Sequence, residues 1–290
     1  MSLYRSFLFA PGNNARRSEK ALGLGADAVI LDLEDACPAS EKVATREVVV
    51  AALQRPRGGR GFIRVNPIST EYGYGDILAT VRAGVDGLVI PKIERADELR
   101  TVEWLVQQIE REQGLPQGGI DLVPIVETGL GLANVRAIAE AGTRVRRIAF
   151  GAGDFTLDLD VAWSPDEEEF APYRAAVVLA SRAAGLEPPI DTVWVDLPNT
   201  EGFSRSAARA RALGFQGKLC IHPDQVAVVH AAFTPDARQV DWARRVVAAF
   251  DEAERTGSAA IRVDGQFIDY PFVHKARRVL AAARAAGVAE

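Results

Sequence analysis

Eight short runs of apolar, β-prone residues recur through the first three quarters of the chain. Stretches with the periodicity of amphipathic helices separate them, for example RADELRTVEWLVQQIEREQ. Apolar strands that alternate with such helices are typical of a parallel sheet covered by helices. Eight units of this kind predict an α/β fold, a (β/α)₈ TIM barrel rather than an open doubly wound sheet. The runs are RSFLFAP (5–11), AVILDLED (28–35), FIRVNP (62–67), GLVIPK (87–92), DLVPIVE (121–127), RIAFGAGD (147–154), DTVWVD (191–196) and KLCIHP (218–223).

The chain after the eighth run is expected to form a C-terminal helical appendage. The predicted boundary lies at the Phe-Thr-Pro sequence that ends at Pro235, which gives a barrel over 1–235 and an appendage over 236–290. Within the appendage we predict a helix at 238–256, a VDG turn and a last helix at 272–287. The apolar faces of these helices, VVAAF and VLAAA, need burial, so we expect them to pack on a neighbouring subunit of a closed homo-oligomer.

The composition restricts the class of partner. The 290 residues carry a formal net charge of −5, which argues against a dedicated binder of nucleic acid or of an anionic membrane. Only Cys37 and Cys220 occur, without a CxxC motif, so neither a disulfide framework nor a thiolate zinc site is expected. No run approaches the roughly 18 apolar residues of a membrane span, and the N-terminal apolar stretch is too short for a signal peptide. We therefore expect a cytoplasmic protein.

Nearly every predicted strand ends in a polar side chain. In a TIM barrel these ends converge on one mouth, where the active sites of such enzymes are built. A single acid after a strand is explained equally well as a cap of the following helix. Helix capping does not explain why nearly every strand ends in a polar group. The residues are Asn13, Asp32, Glu34, Asp35, Arg64, Asn66, Lys92, Glu127, Asp154, Asp196 and His222.

Glu127 and Asp154 are the candidate metal ligands. They end successive predicted strands and would be neighbours at the mouth. Carboxylates without His or Cys form a hard, oxygen-only site that suits Mg²⁺; the alternative is a helix cap or a salt bridge. Glu34 and Asp35 would add negative charge nearby, which is unfavourable unless a cation lies among the acids. We expect these two residues to hydrogen-bond water on the metal.

Two basic residues also end predicted strands. Arg64 keeps its charge, and its planar fork matches a carboxylate or an enolate oxygen. An ion pair with the acids of DLED is the alternative, and both roles can coexist. Lys92 would be the amine of a Schiff-base mechanism, although a mouth rich in carboxylates would keep it protonated. His222 is expected to be a hydrogen-bonding residue at a strand end rather than a catalyst.

Taken together, the motifs resemble one known family. They are RSFLFAPGN, AVILDLED, RVNP, LVIPKIE, PIVET, AFGAGDFTLDL, GFQGKLCIHPDQ and VDGQFID, and they run from Arg5 to about Ala276. In this order they are similar to those of the citrate lyase β-subunit-like lyases in the HpcH/HpaI aldolase superfamily, which also contains malyl-CoA and citramalyl-CoA lyases.

The resemblance implies a Mg²⁺-dependent carbon–carbon lyase. Its substrate would be a 3-hydroxy-carboxyacyl thioester of the citryl type, carried by CoA or an acyl carrier protein. Cleavage would give an acetyl thioester and a 2-oxo acid such as oxaloacetate. Glu127 and Asp154 would bind the metal, and Arg64 and Glu127 would contact the substrate. Asp269 in QFID would be the acid/base, reaching into the neighbouring subunit's site as in relatives, with a homotrimer as the expected assembly.

The resemblance implies, more loosely, that the phosphates of the thioester carrier would be bound by Arg16, Arg17 and Lys20. Other interpretations remain beside the citryl lyase: a malyl-CoA or citramalyl-CoA lyase or thioesterase, a metal-free Schiff-base aldolase that uses Lys92, and a non-catalytic subunit of a larger complex. The presence of Glu127 and Asp154, together with Arg64 and Asp269, argues against the non-catalytic subunit.

Overall fold

The computed structural model describes residues 4–288, and its central feature is a closed barrel of eight parallel strands. Each strand pairs with the next one along the chain, and β8 pairs with β1 to close the barrel. The predicted TIM barrel is therefore confirmed. The strands are β1 (Ser6–Pro11), β2 (Ala28–Asp32), β3 (Arg60–Arg64), β4 (Gly87–Ile90), β5 (Asp121–Val126), β6 (Ala149–Phe150), β7 (Ile190–Asp191) and β8 (Gly217–Cys220).

Helices separate the strands, and several begin at a residue that caps them. The Asn14 side chain accepts a hydrogen bond from the Arg17 N–H, and Asn199 does the same for Gly202. In the part of the chain that the structure describes, none of the helices has the length and apolar character needed to cross a membrane. The helices up to the end of the barrel are α1 (Ala15–Leu22), α2 (Lys42–Leu53), α3 (Gly73–Thr80), α4 (Ala96–Glu112), α5 (Gly129–Ala133), α6 (Val135–Ala139), α7 (Ala152–Leu159), α8 (Ala171–Ala183), α9 (Thr200–Leu213) and α10 (Asp224–Phe233).

Alternate strand residues form an apolar core cluster. Its aromatic members include Tyr4, Phe7 and Phe62, whose rings lie 5.4–6.3 Å apart. This alternation follows from the period of two in a strand. The buried members are Tyr4, Phe7, Ala28, Ile30, Phe62, Val89, Val123, Ile125, Ala149, Ile190 and Leu219.

Two of the predicted strands are much shorter than the apolar runs indicated. The run 147–154 contributes only Ala149–Phe150, and the run 191–196 contributes only Asp191, the second residue of β7 (Ile190–Asp191). After Phe150 the chain turns at Gly151 and enters α7 at Ala152. Asp154 therefore lies in the first turn of a helix and not at the end of a strand, as the sequence pattern had indicated.

The described chain divides into two compact units, Tyr4–His230 and the residues from Ala231 onward. The second unit contains α11 (Ala237–Arg255), a hairpin of β9 (Ile261–Val263) and β10 (Gln266–Ile268), and α12 (Tyr270–Ala285). Both predicted helices are present, whereas the hairpin around the VDG turn was not predicted. The domain boundary at Pro235 stays a prediction. The buried core of the unit consists of Ala243, Val246, Phe250, Ile268, Val273 and Ala276.

Candidate active site

Five charged side chains from consecutive βα units meet at the mouth of the barrel. The Lys92 ammonium lies 2.7 Å from Glu34 Oε1 and 3.1 Å from Asp154 Oδ1. Its backbone N–H donates to Glu127 Oε1 at 2.9 Å, and Arg64 Nη1 lies 2.9 Å from Glu34 Oε2. A cavity of about 410 Å³ opens here, lined by Phe9, Asp32, Asp35, Ala36, Arg64, Ile125, Glu127, Gly151, Gly153, Asp154, Thr192, Val193, Val195, Leu219 and Ile221.

Arg64 ends β3 and is held chiefly by Asp32, the last residue of β2. Its Nε and Nη2 donate to the two oxygens of Asp32 at 2.7 and 2.6 Å, while Glu34 and Asp35 lie 2.9 and 3.5 Å from Nη1. The guanidinium carbon lies 4.8 Å from the centre of the Phe9 ring. Burial opposes the charge, but these carboxylates outweigh it and raise the pKa of Arg64. The ion pair with DLED, one of the two roles foreseen for Arg64, is therefore formed.

Glu127 follows β5 and is almost fully buried, with 3% of its surface exposed. Its Oε1 accepts the Lys92 N–H, and its Oε2 lies against Gly151, where any Cβ would collide with it. Burial first, and then the negative charges of Glu34 and Asp154, raise the pKa of Glu127 to about 8. This carboxylate is thus fixed in orientation and lies in a strongly negative environment.

Lys92 contacts the acids through both its backbone and its side chain. It follows β4 with a φ of 52°, a left-handed conformation that lysine rarely adopts. Burial opposes its charge, but the hydrogen bond to Glu34 and the charges of Glu127 and Asp154 prevail and raise the pKa of Lys92. These contacts favour the ammonium form that the sequence led us to expect, and an ammonium is not a nucleophile for a Schiff base.

The helix that carries Asp154 is anchored to the neighbouring strand and to an aromatic cluster. The Ala152 N–H, in the first turn of α7, donates to Thr192 Oγ1 at 2.7 Å. Next to Asp154, the Phe155 ring packs edge-on against Phe150, with centres 5.7 Å apart. Thr192 was not predicted as a site residue, although its place in the run DTVWVD was the available signal.

The donor set and the charge of the mouth fit Mg²⁺. Glu127 and Asp154 offer oxygen atoms, the ligands that Mg²⁺ prefers, and this ion usually keeps several water ligands. Within residues 4–288 no three His, Cys, Asp or Glu side chains are grouped as a complete ligand set, so the remaining positions would fall to water and substrate. Five carboxylates face two cations at the mouth, a formal excess of three negative charges, and they are Asp32, Glu34, Asp35, Glu127 and Asp154.

A comparison with known protein families assigns the chain to one of them. The family model described as HpcH/HpaI aldolase/citrate lyase matches residues 5–223. The chain belongs to this family. Membership confirms the resemblance seen in the motifs and makes the protein a lyase of the aldolase/citrate lyase type.

Several members of the family resemble the chain over nearly its whole length. Citrate lyase subunit beta of Haemophilus influenzae is 36% identical over 286 residues, which cover 98% of each chain. A (3S)-malyl-CoA thioesterase of Cereibacter sphaeroides is 35% identical over 97% of this chain and 95% of its own. The crystal structure of CitE from Mycobacterium tuberculosis with magnesium, acetoacetate and coenzyme A has a TM-score of 0.77 and 29% identity, with 98% of each chain covered.

Other polar residues predicted at the mouth have local structural partners. Asn13 Nδ2 donates to Glu41 Oε2 at 2.7 Å, and Asn66 Nδ2 donates to Asp76 Oδ2 at 2.7 Å. His222 Nδ1 accepts the N–H of Asp224 at 3.3 Å, which confirms its expected role as a hydrogen-bonding residue at a strand end.

Asp35 and Asp196 lie on the surface, and 62% of the Asp35 side chain is exposed. Asp35 nevertheless borders the cavity. Its expected role beside the metal stays a prediction.

The remaining predicted site residues belong to α1 and to the C-terminal unit. Arg16, Arg17 and Lys20 are exposed on α1, so contact with a carrier phosphate stays a prediction for them. Asp269 belongs to the C-terminal unit and directly precedes α12, whose N–H groups it does not cap. The Oδ1 atom of Asp269 is buried and has no hydrogen-bond partner among the described residues. Its role in a neighbouring subunit stays a prediction as well.

Proposed function

We propose that the chain is a Mg²⁺-dependent carbon–carbon lyase of citryl-type 3-hydroxy-carboxyacyl thioesters. Its products would be an acetyl thioester and a 2-oxo acid such as oxaloacetate, and its carrier would be CoA or an acyl carrier protein. The observation that carries the proposal is the pair of carboxylates, Glu127 and Asp154, that share one cavity with Arg64. The Mycobacterium tuberculosis relatives support it, because their structures contain magnesium with coenzyme A or with oxaloacetate.

Glu127 and Asp154 would hold the metal. When bound, Mg²⁺ supplies a Lewis acid for the oxygen atoms of the 2-oxo acid. The Lys92 N–H fixes one oxygen of Glu127, and the anchoring of α7 fixes the helix that carries Asp154. Ligands held in this way need little rearrangement when the cation arrives.

Arg64 would contribute positive charge to the thioester fragment. In the reaction the 3-hydroxyl group loses its proton, the bond between C2 and C3 breaks, and its electron pair passes to the thioester as an enolate. A fixed guanidinium stabilises such a developing oxyanion without reorganising during the reaction. Because two of the Arg64 nitrogens already donate to Asp32, its charge is the main contribution available to the substrate.

Asp269 is the proposed proton carrier. The enolate must take a proton at C2 to become the acetyl thioester, and a carboxyl group is a suitable donor. The buried, unpartnered Oδ1 atom of Asp269 supports this role over that of a helix cap. A homo-oligomer in which Asp269 serves the site of a neighbouring subunit belongs to the same proposal.

A second candidate is cleavage of malyl-CoA or citramalyl-CoA, by lyase or thioesterase chemistry. The 35% identical thioesterase of Cereibacter sphaeroides favours it. Both candidates would use the same carboxylates, so the nature of the acyl products distinguishes them. The neighbouring acids that raise the pKa of Lys92 argue against the Schiff-base aldolase.

The experiment replaces each ligand with its isosteric amide. We expect Glu127→Gln and Asp154→Asn to lose Mg²⁺ binding, measured by titration calorimetry, together with thioester cleavage, while circular dichroism stays that of the wild type. Glu47→Gln, an exposed acid on α2, is the matched control and should change nothing. Wild-type Mg²⁺ affinity in both ligand variants would refute the metal site.

A further inference from the structure

Lys92 combines a strained backbone with contacts to three carboxylates. Four non-glycine residues in the described chain have a positive φ, and the other three are the acidic Asp160, Glu167 and Asp264. A left-handed lysine is unfavourable because its Cβ crowds the backbone, so the surrounding structure must impose the conformation. Such positions cluster at functional sites.

In this left-handed conformation the backbone N–H and the side-chain ammonium of Lys92 contact different acids. Its N–H donates to Glu127 Oε1 at 2.9 Å, while its ammonium reaches Glu34 and Asp154 at 2.7 and 3.1 Å. The side chain remains 30% exposed, so solvent reaches it. A single residue thereby links the two proposed metal ligands and the acid next to them.

Arg64 and Lys92, the two cations at the mouth, form ion pairs with different acids. The ion-pair partners of Arg64 are Asp32, Glu34 and Asp35. Only the Lys92 ammonium forms an ion pair with a proposed metal ligand among the residues that the structure describes. A positive charge at 3.1 Å from Asp154 repels any second cation that binds the same carboxylate.

We propose that Lys92 is a positioning residue that sets the metal affinity of this site. Its N–H orients Glu127 towards the metal, while its ammonium competes with the divalent cation for Asp154. When the cation takes Asp154, the ammonium retains Glu34 as its partner, and Glu34 keeps both of its cations, Lys92 and Arg64. The inference rests on the metal site of the proposed function and adds to it a residue whose ammonium weakens the binding of the metal.

The test removes the side-chain ammonium of Lys92 and keeps its backbone N–H. Lys92→Gly removes the ammonium, keeps the N–H and suits the left-handed φ. Lys92→Met removes the charge and keeps the length of the stem, and Lys92→Arg keeps the charge. Lys275→Met, an exposed cation on α12, controls for the loss of one positive charge from the protein. Titration calorimetry with MgCl₂ and no substrate gives the dissociation constant of each variant.

We expect Lys92→Gly and Lys92→Met to bind Mg²⁺ about tenfold more tightly than the wild type, since a unit charge next to a ligand is removed at a partly solvated site. The Mg²⁺ affinity of Lys92→Arg and Lys275→Met should stay near that of the wild type. The rise in melting temperature that Mg²⁺ causes should be larger in Lys92→Gly, because tighter binding of the folded state stabilises it more.

Unchanged or weaker Mg²⁺ binding in Lys92→Gly, with binding intact in the wild type, would overturn the competition and leave the metal site standing. This variant decides even where Lys92→Met fails to fold, because glycine relieves the strained backbone. A wild-type protein that binds no Mg²⁺ would overturn the metal site and this inference together.

Discussion

Arg64 forms ion pairs within the protein even without a ligand. Its bidentate pair with Asp32 is buried, and a buried carboxylate that loses such a partner is strongly destabilising. The ion pair with DLED was one of the two roles expected for Arg64. Asp32 ends β2 and Glu34 lies in the bend that follows, and both carboxylates contact Arg64. The sequence predicted that Arg64 lies at the mouth, but the choice among its partners depends on distances that only the folded barrel supplies.

The first prediction concerns the shape of this cation. Arg64→Lys keeps the charge and loses the planar fork, so we expect kcat/KM to fall by roughly 10²-fold, the scale of a lost oxyanion contact. The melting temperature should also fall, because Asp32 loses its bidentate partner. Arg60→Lys, at the exposed beginning of the same strand, should leave kcat/KM unchanged. A near-wild-type kcat/KM for Arg64→Lys would reduce Arg64 to a structural ion pair.

The segment from β6 to α7 is the element where sequence and structure differ most. The apolar run predicted a strand through Asp154, but the chain leaves the sheet after Phe150. Hydrophobic periodicity does not show this turn, because the small residues of GAG carry no pattern. The close approach of Gly151 to the Glu127 carboxylate requires the turn, and these two residues lie far apart in the sequence. The hairpin of β9 and β10 was missed for a different reason, since its strands are only three residues long.

Two adjacent glycines test the role of this turn. In Gly151→Ala the new methyl group would collide with Glu127, so we expect Mg²⁺ binding at least ~10-fold weaker and a lower melting temperature. In Gly153→Ala the methyl group meets no atom within 4 Å, and alanine is the better helix former. That variant should keep wild-type Mg²⁺ affinity and an equal or higher melting temperature. Equal Mg²⁺ affinity in the two variants would show that Gly151 does not set the position of Glu127.

At the scale of the whole molecule, the number and order of the barrel strands were predictable from the sequence. Eight apolar runs in chain order define the barrel, because each parallel strand pairs with its successor. The C-terminal unit was predicted only in part. Its two helices follow from periodicity, whereas no sequence pattern indicates which surface would cover its exposed aromatic residues Phe267, Tyr270 and Phe272.

We predict that the protein is a closed homo-oligomer, with a trimer as the expected form. Light scattering after gel filtration should give a mass that is a multiple of the 31.2 kDa chain. Much of the VVAAF and VLAAA faces is buried inside the C-terminal unit itself and is not left for a neighbour, contrary to what the sequence had indicated. The reason for the prediction is the exposed aromatic residues Phe267, Tyr270 and Phe272, since exposed apolar patches mark interaction surfaces. A monodisperse monomer at micromolar concentration would contradict the prediction.

If Asp269 acts in a neighbouring subunit, two inactive variants should complement each other. Asp269→Asn subunits keep the metal ligands, and Glu127→Gln subunits keep the proton carrier, so mixed oligomers should regain part of the wild-type activity. Asp269→Asn alone should bind Mg²⁺ normally and lose hydrogen–deuterium exchange at the methyl group of the acetyl thioester. Undiminished exchange in this variant would exclude Asp269 as the proton carrier, while a lack of complementation would exclude only the arrangement between subunits.

The most direct measurement for the central claim is a thioester cleavage assay with and without metal. Citryl-CoA, malyl-CoA and citramalyl-CoA are incubated with the wild-type protein, with EDTA, and with EDTA followed by excess Mg²⁺, and the products are identified by mass spectrometry. A metal-dependent lyase predicts that at least one of them gives acetyl-CoA and a 2-oxo acid, that EDTA abolishes this cleavage, and that Mg²⁺ restores it. Cleavage that continues undiminished in EDTA, with borohydride trapping an adduct on Lys92, would contradict the account.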